Sequence, residues 1–234
     1  MPLPAPERHT FRVSLDCRYL LQIPNPLPAR PVLALALHGY GMNAASMLSL
    51  AARMMPSSVV LASLEAPNQF FLQLQNPGES PTGYNWGTRE HWQSAVAQHH
   101  EMVLTVLGDC RARFAVPASR CLLIGFSQPV GLNYRFAATN PDAIGGVIGV
   151  CGGVPRDWEE PGRYRPVTAP LLHIARDHDE YYPVDVAAKF ADRLRTRARD
   201  VEFHMLEGAH RFPSQAGRVV LPWMERIFGA SPSR

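Results

Sequence analysis

A series of apolar runs, each too short for a membrane and too continuous for a surface, constrains this chain most. Val32–Leu37, Val59–Ala62, Cys121–Phe126, Ile144–Val150 and Leu171–Ala175 read as strands buried on both faces, and Val201–Leu206 as a last strand. Helical stretches alternate with them. Asn43 caps a helix to about Met54, with Ala45, Leu48 and Ala52 on one side. A second runs from Gln93 to about Arg111, with Val96, His100, Val103, Leu104 and Leu107 on one face. A third follows Pro129 to about Asn140, burying Leu132, Phe136 and Ala137. A fourth spans about Val184–Ala198, with Val184, Ala187, Ala188, Ala191 and Leu194 inward. Val219, Val220, Trp223, Ile227 and Phe228 mark a closing helix that Pro222 should kink or re-start. Such alternation predicts an α/β fold, a mostly parallel central sheet with helices on both faces. Thr10–Cys17 and Tyr19–Ile23 add an antiparallel N-terminal hairpin.

No repeat or linker divides the chain, so residues 1–234 read as one domain with frayed ends at 1–9 and 230–234. The net charge of +3 and the absence of an arginine stripe interleaved with aromatics argue against a nucleic-acid partner. No run is long enough for a membrane span, and Met1–His9 lacks the apolar core of a signal peptide. Cys17, Cys110, Cys121 and Cys151 lie far apart without a Cys-x-x-Cys pair. They read as buried free thiols suited to a reducing cytoplasm. A monomer and a symmetric homodimer are equally compatible with this composition.

In sheets of this class, ligands gather at the carboxyl ends of the strands. The polar outliers sit there: His38, Ser127, the pair Asp177 and Asp179, and His210. Ser127 stands in Gly125-Phe126-Ser127-Gln128, where a buried strand gives way to a helix. That setting holds a serine hydroxyl up as a nucleophile. A serine needs a base, and the base an anion to orient it. The order serine, aspartate, histidine at successive strand ends supplies all three, with Asp177 and Asp179 competing as the acid. A zinc site would draw on His38, Asp177, His178, Asp179 and His210, but no compact ligand spacing supports a metal. No dinucleotide or P-loop glycine pattern occurs, and the chemistry needs no cofactor. Residues 65–92 are rich in aromatics and poor in periodicity, a folded excursion whose Phe70, Phe71 and Trp86 are candidates to line a substrate pocket.

Gly125-Phe126-Ser127-Gln128 resembles the nucleophile segment of the phospholipase/carboxylesterase family of α/β-hydrolases. Leu37-His38-Gly39-Tyr40-Gly41 resembles that family's oxyanion loop, and Gly208-Ala209-His210-Arg211-Phe212 its histidine segment. The resemblance covers roughly residues 32–228. It implies an acid four residues before the proline that opens the next helix, which is Asp179 ahead of Pro183. Asp177 is then left to cap the turn. The backbone N–H groups of Tyr40 and Gln128 become the candidate oxyanion donors. His38 would organise the loop that carries Tyr40.

Two departures stand out. Pro129 and Val130 replace the two glycines that follow the glutamine in relatives, and Arg176 stands where they usually carry glycine. Proline disfavours helical dihedrals in the residue before it, here Gln128, and a β-branched Val130 needs room beside the neighbouring strand. The expectation is a serine esterase acting on small-molecule esters with uncharged or hydrophobic acyl groups. Lysophospholipase or acyl-thioesterase action is its near variant. A binding protein on the same fold is the outcome if Pro129 disables the turn.

Overall fold

The structure, a computed structural model, describes residues 5–73, 75 and 78–229. The expected fraying at 1–4 and 230–234 falls outside the described residues; residues 5–9 are exposed and without regular structure. In chain order the elements are β1 (Tyr19–Gln22), β2 (Leu33–Leu37), α1 (Ala44–Met54), β3 (Val60–Leu64), β4 (Asn68–Phe71), β5 (Thr82–Asn85), α2 (Trp92–Phe114), β6 (Cys121–Phe126), α3 (Val130–Thr139), β7 (Gly146–Val150), β8 (Leu171–Arg176), α4 (Val184–Ala187), α5 (Phe190–Arg195), β9 (Val201–Leu206) and α6 (Gly217–Phe228).

Seven strands form one sheet in the order β1-β3-β2-β6-β7-β8-β9, parallel except for β1, which runs antiparallel to β3. The strands sort their side chains by parity. Leu33, Leu35, Leu37 and Leu123 face a core built with Met102, Val103, Leu107, Phe136 and Leu194 from α2, α3 and α5. Ala34, Ala36, Leu122 and Ile124 face the opposite core with Met47, Ala51, Val220 and Trp223 from α1 and α6. Alternating leucine and alanine along β2 gives one helix layer bulk and lets the other approach closely. β2 and β6 are neighbours, yet the chain leaves β2 for one side of the sheet and β6 for the other. Their C-terminal ends therefore flank a crevice, where this class of sheet binds ligands.

Several local expectations are corrected. The N-terminal antiparallel element is present, but β1 pairs with β3 and not with residues 10–17, where Phe11, Val13 and Leu15 stay exposed. Only Arg18 lies between the two expected strands, fewer than the two residues a tight hairpin turn requires. The buried face of α1 is Ala44, Met47, Ala51 and Met54, one residue off the expected stripe. α2 buries His99, Met102, Val103, Val106 and Leu107 and leaves Leu104 exposed. The fourth helix is split into α4 and α5, although Ala187, Phe190, Ala191 and Leu194 keep one buried stripe across the break and Val184 is exposed. α6 starts at Gly217 and carries Pro222 inside it. Cys110, Cys121 and Cys151 are buried free thiols as expected, whereas the free Cys17 is exposed. No helix among the described residues is long and apolar enough to cross a membrane.

Candidate active site

Ser127 follows the last residue of β6 with φ 61°, in the left-handed region that a non-glycine residue adopts only under constraint. The constraint is visible: its N–H donates to the Val150 carbonyl at the end of β7 at 2.8 Å. Gly125 permits the sharp turn, since a Cβ there would come within 2.8 Å of Asn133 Nδ2 and 3.2 Å of the Val130 backbone. The hydroxyl is thus held at the strand end, half-buried.

His210 Nε2 lies 2.8 Å from Ser127 Oγ, and His210 Nδ1 lies 2.7 Å from Asp179 Oδ2. A carboxylate only accepts, so Nδ1 carries the proton and Nε2 presents its lone pair to the serine hydroxyl. The Asp179 side chain is 1% exposed and is itself fixed, its Oδ1 accepting the N–H groups of Tyr181 and Tyr182 at 2.8 and 3.0 Å. Glu180 adds a restraint that no local sequence signal marks. Its Oε2 accepts the His210 backbone N–H at 3.0 Å, and that bond holds its carboxyl below the usual range. Phe126 packs along the imidazole at 5.6 Å, and Tyr181 meets it edge-on at 4.7 Å. Asp177 does not reach His210. Its Oδ1 accepts the Gly208 N–H at 2.7 Å, tying the end of β8 to the loop that carries the histidine, and lowering its own pKa.

Gly39 to Gly41 form the turn after β2. His38 is fully buried, with Nδ1 2.8 Å from the Gly39 carbonyl and Nε2 accepting the Ala66 N–H at 3.0 Å. Those partners use both ring nitrogens of a neutral imidazole, and burial pushes its pKa down. His38 therefore shapes the loop and is not available as a base. Neither the Tyr40 nor the Gln128 backbone N–H has an acceptor among the described residues. Tyr40 is 57% exposed and packs at a tilt against Phe70, ring centroids 5.0 Å apart, while Phe71 is half exposed. Trp86 differs from expectation. Its indole is 1% exposed and donates through Nε1 to the His38 carbonyl at 2.8 Å, so it supports the loop from behind. Among the described residues, no three side chains of histidine, cysteine, aspartate or glutamate come together as a metal cluster.

Pro129 has φ −77°, within the range its ring imposes, and its carbonyl accepts the Asn133 N–H at 2.8 Å to start α3. Val130 is fully buried and finds its space opposite two glycines. A Cβ on Gly149 would stand 2.8 Å from Val130 Cγ1. One on Gly152 would overlap Val130 Cβ and Cγ2 and approach the Ser127 carbonyl oxygen to 2.6 Å. The arginine at 176 packs across Gly208, where no side chain fits.

Residues 23–223 match the family described as Phospholipase/Carboxylesterase. The chain belongs to this family of α/β-hydrolases. Among curated proteins, none matches it. Solved structures share its fold at low identity. Esterase PE8 matches at 19% identity and TM-score 0.69, over 92% of this chain and 100% of its own. The Bacillus cereus carboxylesterase matches at 16% and 0.68, over 91% and 95% respectively. TT1662 from Thermus thermophilus matches at 22% and 0.66, over 94% and 100%. Membership of the phospholipase/carboxylesterase family supports a hydrolytic enzyme of the esterase class.

Proposed function

We propose that this family member is a single-domain serine hydrolase of carboxylic esters, with Ser127 as nucleophile, His210 as base and Asp179 as the acid that orients it. The continuous hydrogen-bonded line from Ser127 Oγ through His210 to Asp179, at 2.8 and 2.7 Å, carries the reading. As Ser127 Oγ attacks the acyl carbonyl, its proton passes to His210 Nε2, and Asp179 stabilises the imidazolium. The oxygen that gains charge accepts from the Tyr40 and Gln128 N–H groups, which have no acceptor to give up among the described residues. The C–O bond breaks, the alcohol leaves with the proton from Nε2, and water repeats the sequence on the acyl-enzyme.

Tyr40, next to the oxyanion turn, packs against Phe70 at 5.0 Å, and this aromatic pair favours an uncharged or hydrophobic acyl group, with Phe71 a further candidate to line its site. Esters are preferred as substrates, with lysophospholipids and thioesters sharing the same acyl chemistry. The buried unpaired thiols fit a cytoplasmic setting. The test is hydrolysis of p-nitrophenyl esters from acetate to decanoate by wild type and Ser127→Ala. Turnover that vanishes in the variant supports the nucleophile, and the chain-length optimum sizes the acyl site. Turnover that survives the substitution refutes it.

A further inference from the structure

The Gln128 side chain is committed to another segment of the chain. Its Oε1 accepts the Trp86 N–H at 3.0 Å, and its Nε2 donates to the Gly87 carbonyl at 2.8 Å. This orientation of the carboxamide is forced, because a backbone N–H only donates and a carbonyl only accepts. Trp86 carries the connection onward through Nε1 to the His38 carbonyl, two residues before Tyr40. On the far side of Tyr40, the Gly41 N–H donates to the Tyr84 carbonyl at 2.9 Å and the Tyr84 N–H to the Met42 carbonyl at 3.1 Å. Residues 84–87 are thus bonded to both flanks of Tyr40 and to Gln128.

Tyr40 and Gln128 leave different strands, β2 and β6. The segment 84–87 is bonded to both. We propose that the Gln128 carboxamide and Trp86 form a strut that sets the separation and aim of the two oxyanion donors. Gln128 is then a positioning residue through its side chain as well as a donor through its backbone. The inference rests on the reading of Ser127 as the nucleophile. The strut matters here because Pro129 opposes helical dihedrals at Gln128 in the turn leading to α3. Two side-chain bonds hold a residue whose backbone preference would otherwise take its N–H elsewhere. Such a device acts on charge that exists only in the transition state, so it belongs to kcat and not to substrate binding.

Gln128→Met keeps the length and the backbone N–H and deletes both bonds. Because displacement of an aligned group by about 1 Å costs on the order of 10²-fold, kcat should fall about 10- to 100-fold with KM changed less than about 3-fold. Trp86→Phe keeps a buried aromatic ring and removes the Nε1 donor together with part of the indole's bulk; it should lower kcat in the same way, with a thermal melt to show the variant folded. The double variant should lose less than the product of the two losses, since both break one connection. Amide hydrogen exchange on the intact protein gives a readout independent of turnover: Gln128→Met should speed exchange at residues 39–42 and 84–87 and leave α6 unchanged. Unchanged exchange in those two segments overturns the strut whatever the activity. So does a kcat close to wild type while Ser127→Ala is dead, or a loss confined to KM. Turnover that persists in Ser127→Ala sinks the hydrolase reading instead, and the exchange result then decides the strut alone.

Discussion

Replacing Asp179 by asparagine should damage this enzyme far more than the same change at Asp177, and the structure says by how much. An asparagine at 179 keeps an oxygen to accept the Tyr181 and Tyr182 N–H groups, so the loop stays in place. What changes is the atom facing His210. An amide NH2 at 2.7 Å from Nδ1 offers a proton where the carboxylate accepted one. The imidazole must turn to the tautomer with Nε2 protonated, and Nε2 then donates to Ser127 and cannot take its proton. Loss of the correct tautomer in a serine triad costs about 10⁴-fold in kcat. That is roughly 5 kcal/mol at 1.36 kcal/mol per decade. At position 177 an asparagine oxygen still accepts the Gly208 N–H, and no bond to His210 exists to lose. Its kcat should stay within about 3-fold of wild type, as for surface changes that keep their hydrogen bond. Steady-state hydrolysis of a p-nitrophenyl ester, with thermal melts to show both variants folded, measures the pair. A folded Asp179→Asn within tenfold of wild type, or an Asp177→Asn that is the worse of the two, refutes the assignment of the acid.

Two further outcomes follow from packing and burial. Gly152→Ala would drive a Cβ into Val130 and toward the Ser127 carbonyl, so it should destabilise by roughly 1–3 kcal/mol and depress kcat by shifting the turn. Adding Val130→Gly should recover part of both losses, because it clears Val130 but not Ser127; no recovery in melts and kinetics would disprove the contact. His99 and His173 are buried and neutral, each with its pKa pushed down from 6.5 to about 3 by desolvation. The unfolded chain therefore binds more protons between about pH 3 and 6.5, and stability is lost as pH falls through that window. At pH 5 the two should together remove about 4 kcal/mol relative to neutral pH, and denaturant titrations that show a flat profile from pH 7.5 to 5 would contradict it.

The buried strands are legible in the sequence because a strand covered on both faces has to be apolar throughout, as Leu33–Leu37 and Cys121–Phe126 are, but their order in the sheet is not. Ser127, the pair Asp177 and Asp179, and His210 stand out for the complementary reason, as polar residues at the ends of apolar runs, and only the family resemblance singles out Asp179 from the pair. The helix faces were less legible. α1 and α2 carry small and apolar residues on more than one side, so periodicity alone does not tell the exposed Leu104 from a core residue or mark Met47 as one. The excursion around 65–92 was least legible. Trp86 is conspicuous in sequence as an aromatic, but only its bonds to His38 and Gln128 distinguish a prop behind the loop from a pocket wall. Nothing local marks Glu180 either, because its partner is a backbone N–H thirty residues away.

The turn at Ser127 accommodates Pro129 and Val130 through its packing and hydrogen bonds. A close approach between a helix start and a neighbouring strand sets a limit on the bulk of both sides together, not on one position. Here the helix side carries Val130, and the facing side carries Gly149 on β7 and Gly152 just after it. Val130 therefore faces two residues without a Cβ, which leave the space its branched side chain fills. Pro129 needs no such space. At φ −77° its ring is unstrained, and the N–H it lacks lies ahead of the first helical hydrogen bonds. The remaining cost falls on Gln128, whose backbone the proline biases, and it is there that the side chain is bonded at both ends. Each departure from the glycine pattern thus has its compensation at the point where its physical effect is felt.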